Sequence, residues 1–160
     1  MGPSSRAAPS RPVAIALGSN QGDREAHLAF ATLRLRGLVR DLVVSSFIET
    51  APEERRDQPW FLNGVALGWS DAEPERLLEA LLEIECDRGR ERPFAGAPRT
   101  LDLDLILVGE LVRRGSSLEL PHPRFRDRRF VLGPLVSIGP NLVDPVTRLT
   151  MRELLTMLEG

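Results

Sequence analysis

Apolar residues along the chain recur with two different periods, and the alternation between them sets out the elements. VAIALG (Val13 to Gly18) is apolar without a break, which predicts a buried strand. SNQGDREAHLAFATLRLRG follows as a loop and then a helix from about Asp23 that ends at Gly37. LVVSSFIET (Leu42 to Thr50) and WFLNGVALGWS (Trp60 to Ser70) are rich in β-branched and aromatic residues and predict two strands, separated by the polar APEERRDQP, which is longer than a hairpin turn needs. PERLLEALLEIECDRG returns to helical spacing, with Pro74 in the favoured first-turn position and Gly89 as the stop. LDLDLILV is the next strand.

The order β-α-β-β-α-β within about a hundred residues predicts an α+β fold, the ferredoxin-like split βαβ arrangement of an antiparallel sheet with two helices on one face. Beyond it the pattern predicts a hairpin near ELVRRGSSLELP, an exposed basic loop, an apolar helix around RFVLGPLVSI and a short final helix, TMRELLTMLE. Met1 to Pro12, rich in Pro, Ser, Ala and Arg, is expected to be a disordered tail, leaving residues 13–160 as a single domain. No internal repeat is visible.

Two places break the pattern in a way that suggests chemistry. In PRTLDLDLILV, Asp102 and Asp104 fall two apart on a strand and therefore share a face, about 6–7 Å apart, while the leucines take the other. Half-exposed strands often alternate in this way, so a plain surface face is one reading. The continuous apolar run after Asp104 favours a central strand instead, where paired like charges call for a cation or ligand. In the second helix Leu77, Leu78, Leu81 and Leu82 form an apolar stripe whose continuation is Glu85. Either Glu85 sits at a frayed end and reaches water, or it belongs to an ordered polar site at the helix end.

Composition narrows the class. The 160 residues carry a net charge of −2, 42% apolar and 28% charged residues, and no apolar run near the ~20 residues of a membrane span. A soluble protein that binds neither membrane nor nucleic acid is expected. The one cysteine, Cys86, cannot form an intramolecular bridge, fits a reducing cytoplasm, and is expected to be a packing residue. All 21 basic residues are arginine, crowded at Arg88 to Arg99 and Arg124 to Arg129. Carboxylates with adjacent arginines are the local chemistry of Mg²⁺-held polyphosphate, whose oxygens suit guanidinium forks. No Gly-x-x-x-x-Gly-Lys-Ser/Thr cradle exists, and GSNQG is only a weak glycine signal. QPWFLNG puts Phe61 and Asn63 on one strand face, an aromatic platform beside an amide that suits a flat heterocycle, and LPHPRFRDRRF supplies His122, Arg128 and Phe130.

The segments ALGSN, VSSFIET, DQPWFLN, IE…GR.R, APRTLDLDLIL and PHPRF..R.F together make the chain resemble the 6-hydroxymethyl-7,8-dihydropterin pyrophosphokinases of folate biosynthesis, over nearly all of Val13 to Glu159. The resemblance implies a ferredoxin-like fold and transfer of the β,γ-pyrophosphoryl group of ATP to the pterin hydroxymethyl oxygen, with release of AMP. It implies that Asp102 and Asp104 hold two Mg²⁺ ions. It implies an ATP site lined by Glu85, Arg92, His122 and Arg128, with Arg90 and Arg99 assisting transfer. For the pterin it implies stacking between Phe61 and Phe130, with Asn63 and Thr50 near the polar edge. The chain is expected to be a monomer. It departs from the family pattern in ERPFAGAPRT, which lacks an Arg-Trp pair common before PRT and offers Phe94 in its place, in Phe61, a position often held by Tyr, and in Glu119 and Ser117, where some relatives present nucleotide-contacting Thr and Arg, respectively. Two rivals from other classes remain: a ferredoxin-like module binding RNA or a small regulator, which the charge and the 5% aromatic content disfavour, and a protein that binds pterin and ATP without transfer.

Overall fold

The computed structural model describes residues 9–52, 57, 59–89 and 100–160. Strand β1 (Arg11–Ser19) starts two residues before the apolar run, because Arg11 and Pro12 already pair with Ser70 and Trp69 of β4 (Phe61–Ser70). The tail expected to reach Pro12 therefore gives up its last two residues to the sheet. Helix α1 (Arg24–Arg36) opens under the Asp23 side chain, which accepts the Ala26 N–H at 3.1 Å, and closes at Gly37.

The strand expected over Leu42 to Thr50 is two strands, β2 (Arg40–Val44) and β3 (Ile48–Thr50), both antiparallel to β4. Ser45 makes the break. Its N–H donates to Val65 O and its hydroxyl accepts from Val65 N, both at 2.9 Å, so a side chain replaces a main-chain partner in the ladder. Phe47 then lies over Gly64, where an added Cβ would stand 2.5 Å from Phe47 Cδ1.

Helix α2 (Pro74–Asp87) leads to β5 (Asp102–Val108), and the sheet runs β2-β4-β1-β5 with β3 also on β4. Every strand pair in it is antiparallel. On one face Val13, Ile15, Leu17, Leu103 and Leu105 pack with Leu28, Ala31 and Leu35 of α1 and Leu77, Leu81 and Ile84 of α2. The buried face of α2 is thus rotated from the expected stripe. Leu82 is exposed, and so is Cys86, which corrects its reading as a packing residue.

The other face carries a second apolar cluster of Ala14, Val65, Ile106 and Leu107. It is covered by Phe125, by α3 (Arg129–Ile138) and by α4 (Met151–Glu159). A capping box between Thr150 and Glu153 starts α4. Between β5 and α3 the chain forms the short pair β6 (Arg113–Arg114) and β7 (Glu119–Leu120), then a 3-10 turn at Phe125–Asp127. This corrects the expected exposed loop: Phe125 is fully buried, His122 is half-buried, and Phe130 lies in the first turn of α3. Among the described residues no helix is long and apolar enough to cross a membrane.

Candidate functional site

Register places the candidate residues. On β1, Gly18 stands opposite Asn63 of β4 on one side and Asp102 of β5 on the other, and Ala16 stands opposite Val65 and Asp104. Directly opposed residues share a face, so Asn63, Gly18 and Asp102 form one row across three strands, with Ala16 and Asp104 in the next. Thr50 of β3 opposes Phe61, two residues before Asn63, and extends the polar patch to the sheet edge. The patch lies on the α3/α4 face, beside the apolar cluster that Ala14, Val65 and Ile106 seal. Thr50, Phe61, Asn63, Asp102 and Asp104 are therefore brought together.

Glycine at position 18 is what keeps the middle of this row open. A Cβ there would meet Asn63 Oδ1 at 2.5 Å and Phe61 Cδ1 at 3.5 Å. The Asn63 amide thus leans over the β1 backbone while its Nδ2 donates to Thr50 Oγ1 at 2.6 Å. With the NH₂ end engaged by Thr50, Oδ1 is an acceptor at the centre of the sheet face.

A bulge in β5 aims the second half of the site. The register slips between Ala14 and Ile15, leaving Ile106 as the extra residue, and the Ile106 carbonyl accepts the His122 N–H at 2.8 Å. His122 Nδ1 accepts the Arg124 N–H at 3.1 Å, so the neutral ring carries its proton on Nε2. Burial, followed by the positive charges of Arg128 and Arg124, lowers the His122 pKa to about 4, with Asp102 pulling the other way. His122 is therefore a neutral donor at physiological pH, close enough to Asp102 to feel its charge. The Arg128 guanidinium lies 5.6 Å from the Phe130 ring centre.

The 3-10 turn between His122 and Arg128 is pinned from below. Arg126 makes two bonds to Asp144, at 2.6 and 2.9 Å, and Asp144, fully buried, also accepts from Thr147 and from the Val146 N–H. Burial acts to raise the Asp144 pKa, but these bonds and the Arg126 charge hold it below the ordinary carboxylate value.

Glu85 does not join the row. It is 2% exposed, and its Oε2 accepts the Leu103 N–H of β5, the last strand of the sheet, at 2.6 Å. The frayed-end reading of Glu85 is thereby overturned, since a buried carboxylate here satisfies a backbone donor at a sheet edge. Arg90, Arg92, Phe94 and Arg99 lie outside the described residues.

As a metal centre the donor set is sparse: among the described residues no third His, Cys, Asp or Glu joins the Asp102 and Asp104 carboxylates to form a cluster. Two hard oxygen donors, both half-buried and open to one side, suit a cation such as Mg²⁺ that keeps waters and takes phosphate oxygens for the rest of its shell. Sequence reasoning missed Gly18, the Ile106 bulge and the Arg126–Asp144 anchor. Only register, which no local pattern reports, pairs Gly18 with Asn63 and Asp102.

Residues 14–140 match the family model of 7,8-dihydro-6-hydroxymethylpterin-pyrophosphokinase. The chain is 43% identical over 126 residues to the 2-amino-4-hydroxy-6-hydroxymethyldihydropteridine pyrophosphokinase of Bacillus subtilis, covering 78% of this chain and 75% of that protein. The protein of the same name from Pseudomonas aeruginosa is 39% identical over 135 residues, covering 83% of each. Folic acid synthesis protein fol1 of Schizosaccharomyces pombe is 37% identical over 146 residues, 90% of this chain but 20% of that protein, so the chain spans about a fifth of such longer relatives. The crystal structure of wild-type Plasmodium falciparum HPPK-DHPS superposes with a TM-score of 0.72 at 12% identity, over 96% of this chain and 45% of that one, a likeness of fold. The chain belongs to the 7,8-dihydro-6-hydroxymethylpterin-pyrophosphokinase family.

Proposed function

We propose that the chain transfers the β,γ-pyrophosphoryl group of ATP to the hydroxymethyl oxygen of 6-hydroxymethyl-7,8-dihydropterin, releasing AMP, as a step of folate biosynthesis. The observation that carries this reading is the row Asn63–Gly18–Asp102, which sets a flat amide-and-aromatic patch beside a carboxylate pair on one sheet face. The strand order and antiparallel pairing support a ferredoxin-like split βαβ core within a single domain that begins at β1.

In this reading Phe61 supplies one stacking face for the pterin and Phe130 the other, and Asn63 Oδ1 accepts from an N–H of the ring edge. Asp102 and Asp104 would hold two Mg²⁺ ions, which when bound neutralise phosphate charge and align the chain of phosphates. His122, neutral and protonated on Nε2, donates to a phosphate oxygen without adding a competing charge. Arg128 offers a guanidinium to the same phosphates and Arg92 completes the ATP site, whereas Glu85, buried against the Leu103 N–H, supports β5 rather than touching the nucleotide. The hydroxymethyl oxygen attacks the β-phosphorus and forms one P–O bond, while the bond from that phosphorus to the oxygen bridging it to the α-phosphate breaks. AMP leaves with that oxygen, and the hydroxyl proton passes to water. Such a transfer needs positioning and charge stabilisation rather than a nucleophilic side chain, and Arg90 and Arg99 are assigned to the charge.

The reading is tested by assaying AMP release with each component omitted in turn. AMP that appears only when ATP, Mg²⁺ and the pterin are all present supports it. ADP as the product, or AMP formed at the same rate without pterin, overturns it.

A further inference from the structure

The segment that turns from β1 into α1 makes three bonds to the chain on either side of the candidate pterin patch. Asn20, 2% exposed, donates from Nδ2 to Pro59 O at 3.1 Å. Arg24 donates from Nη1 to Trp60 O at 3.0 Å, and its Nη2 pairs with Glu49 Oε1. Pro59 and Trp60 immediately precede Phe61, and Glu49 immediately precedes Thr50. One guanidinium fork therefore spans the two chain ends at which β3 finishes and β4 begins.

The reach matters because β3 has three residues and, among the described residues, pairs with β4 alone. A strand that short has little of its own to fix its position. Its last residue, Thr50, is the hydrogen-bond partner that orients the Asn63 amide. Helix stability does not account for an arginine at this place: Arg24 is the first residue of α1, where a cation opposes the helix dipole. Nor does the ion pair add much to global stability, with side chains 29% and 55% exposed.

We infer that Arg24 is a positioning residue for the pterin, acting through Glu49 and the Trp60 carbonyl to hold Thr50, and through Thr50 the Asn63 amide, in place. Lysine does not reproduce the fork, whose two coplanar nitrogens each meet one acceptor in a fixed geometry that a single flexible ammonium lacks. The inference rests on the reading of Thr50, Phe61 and Asn63 as the pterin edge.

Steady-state kinetics of the whole chain at saturating ATP and Mg²⁺ test it, with wild type, Arg24→Ala, Glu49→Gln and the double variant side by side. Arg24→Ala is expected to raise KM for the pterin about tenfold, with kcat within about twofold and KM for ATP unchanged, as displacement of a substrate contact produces. The double variant is expected to be no worse than Arg24→Ala alone, and the Asn63 side-chain NH₂ resonance is expected to shift in Arg24→Ala with the melting temperature nearly unmoved. A wild-type KM for pterin in Arg24→Ala, additive effects in the double variant, or an unshifted Asn63 resonance would each overturn the inference. Absence of pterin-dependent turnover in the wild type would instead overturn the functional reading beneath it.

Discussion

Replacing Gly18 by alanine separates the cost to the fold from the cost to the site. The new Cβ would stand 2.5 Å from Asn63 Oδ1, where a carbon–oxygen contact needs roughly 3.3 Å, so the amide must retreat by about 0.8 Å. Asn63 is a terminal amide on β4 and can turn away, but it then gives up its 2.6 Å bond to Thr50. Losing that bond costs about 1 kcal/mol and an off-rotamer side chain about 0.5–1.5 kcal/mol. The expected loss is ~2 kcal/mol, a fall in melting temperature of about 4–8 °C for a chain of this length. Pterin affinity, measured by fluorescence titration, is expected to fall at least tenfold, because the acceptor that meets the ring edge has moved. Gly64→Ala is the comparator. Its Cβ would strike the Phe47 ring at 2.5 and 2.7 Å on the opposite face of β4, so it should destabilise comparably or more while leaving pterin affinity near wild type. Wild-type pterin affinity in Gly18→Ala would refute the placement of Asn63 at the pterin edge.

The remaining predictions concern the carboxylates. Asp102→Asn and Asp104→Asn are each expected to lower turnover at least a hundredfold at fixed Mg²⁺, with unchanged circular dichroism, and wild-type rates in both would dismiss the metal assignment. Arg126→Ala strands Asp144 in the interior and is expected to cost about 3 kcal/mol by urea unfolding; a loss below about 1 kcal/mol would dismiss the anchor. Because the folded pKa of Asp144 lies below its unfolded value near 3.8, its contribution to stability is present above that value and is lost as pH falls through the folded one. Arg126→Ala should therefore flatten the acid limb of the stability–pH curve, and an unchanged limb would contradict this. Glu85→Ala leaves the Leu103 N–H without its acceptor and is expected to cost about 1–3 kcal/mol, whereas Glu85→Gln keeps an oxygen in place and should melt near wild type. Equal melting temperatures for the two variants would remove the edge-capping role.

Local patterns carried the secondary structure well where a single residue punctuates it. Asp23, Pro74 and Thr150 mark helix starts through side-chain oxygens or a missing donor, both of which act within a turn of the chain. Ser45 was not legible, because its hydroxyl bonds the Val65 N–H twenty residues away, and nothing in LVVSSFIET shows that a side chain will displace a ladder partner. The period-two spacing put Asp102 with Asp104, and Phe61 with Asn63, on common faces. That the two pairs occupy the same face depends on the register of β1 between them. The burial of Glu85 could be suspected from its stripe but not resolved, because its partner is a backbone group of β5 rather than another side chain. His122 and Phe130 looked like loop residues, since the bulge at Ile106 and the buried Arg126–Asp144 pair that order this segment join positions far apart in sequence.

The most direct measurement is phosphorus NMR of the protein with ATP, Mg²⁺ and 6-hydroxymethyl-7,8-dihydropterin carrying ¹⁸O in the hydroxymethyl group. The account predicts AMP without label and a pterin diphosphate whose ester phosphorus shows the isotope shift of a bond to the labelled oxygen. ADP with a pterin monophosphate, or unchanged ATP beside bound pterin, would contradict it.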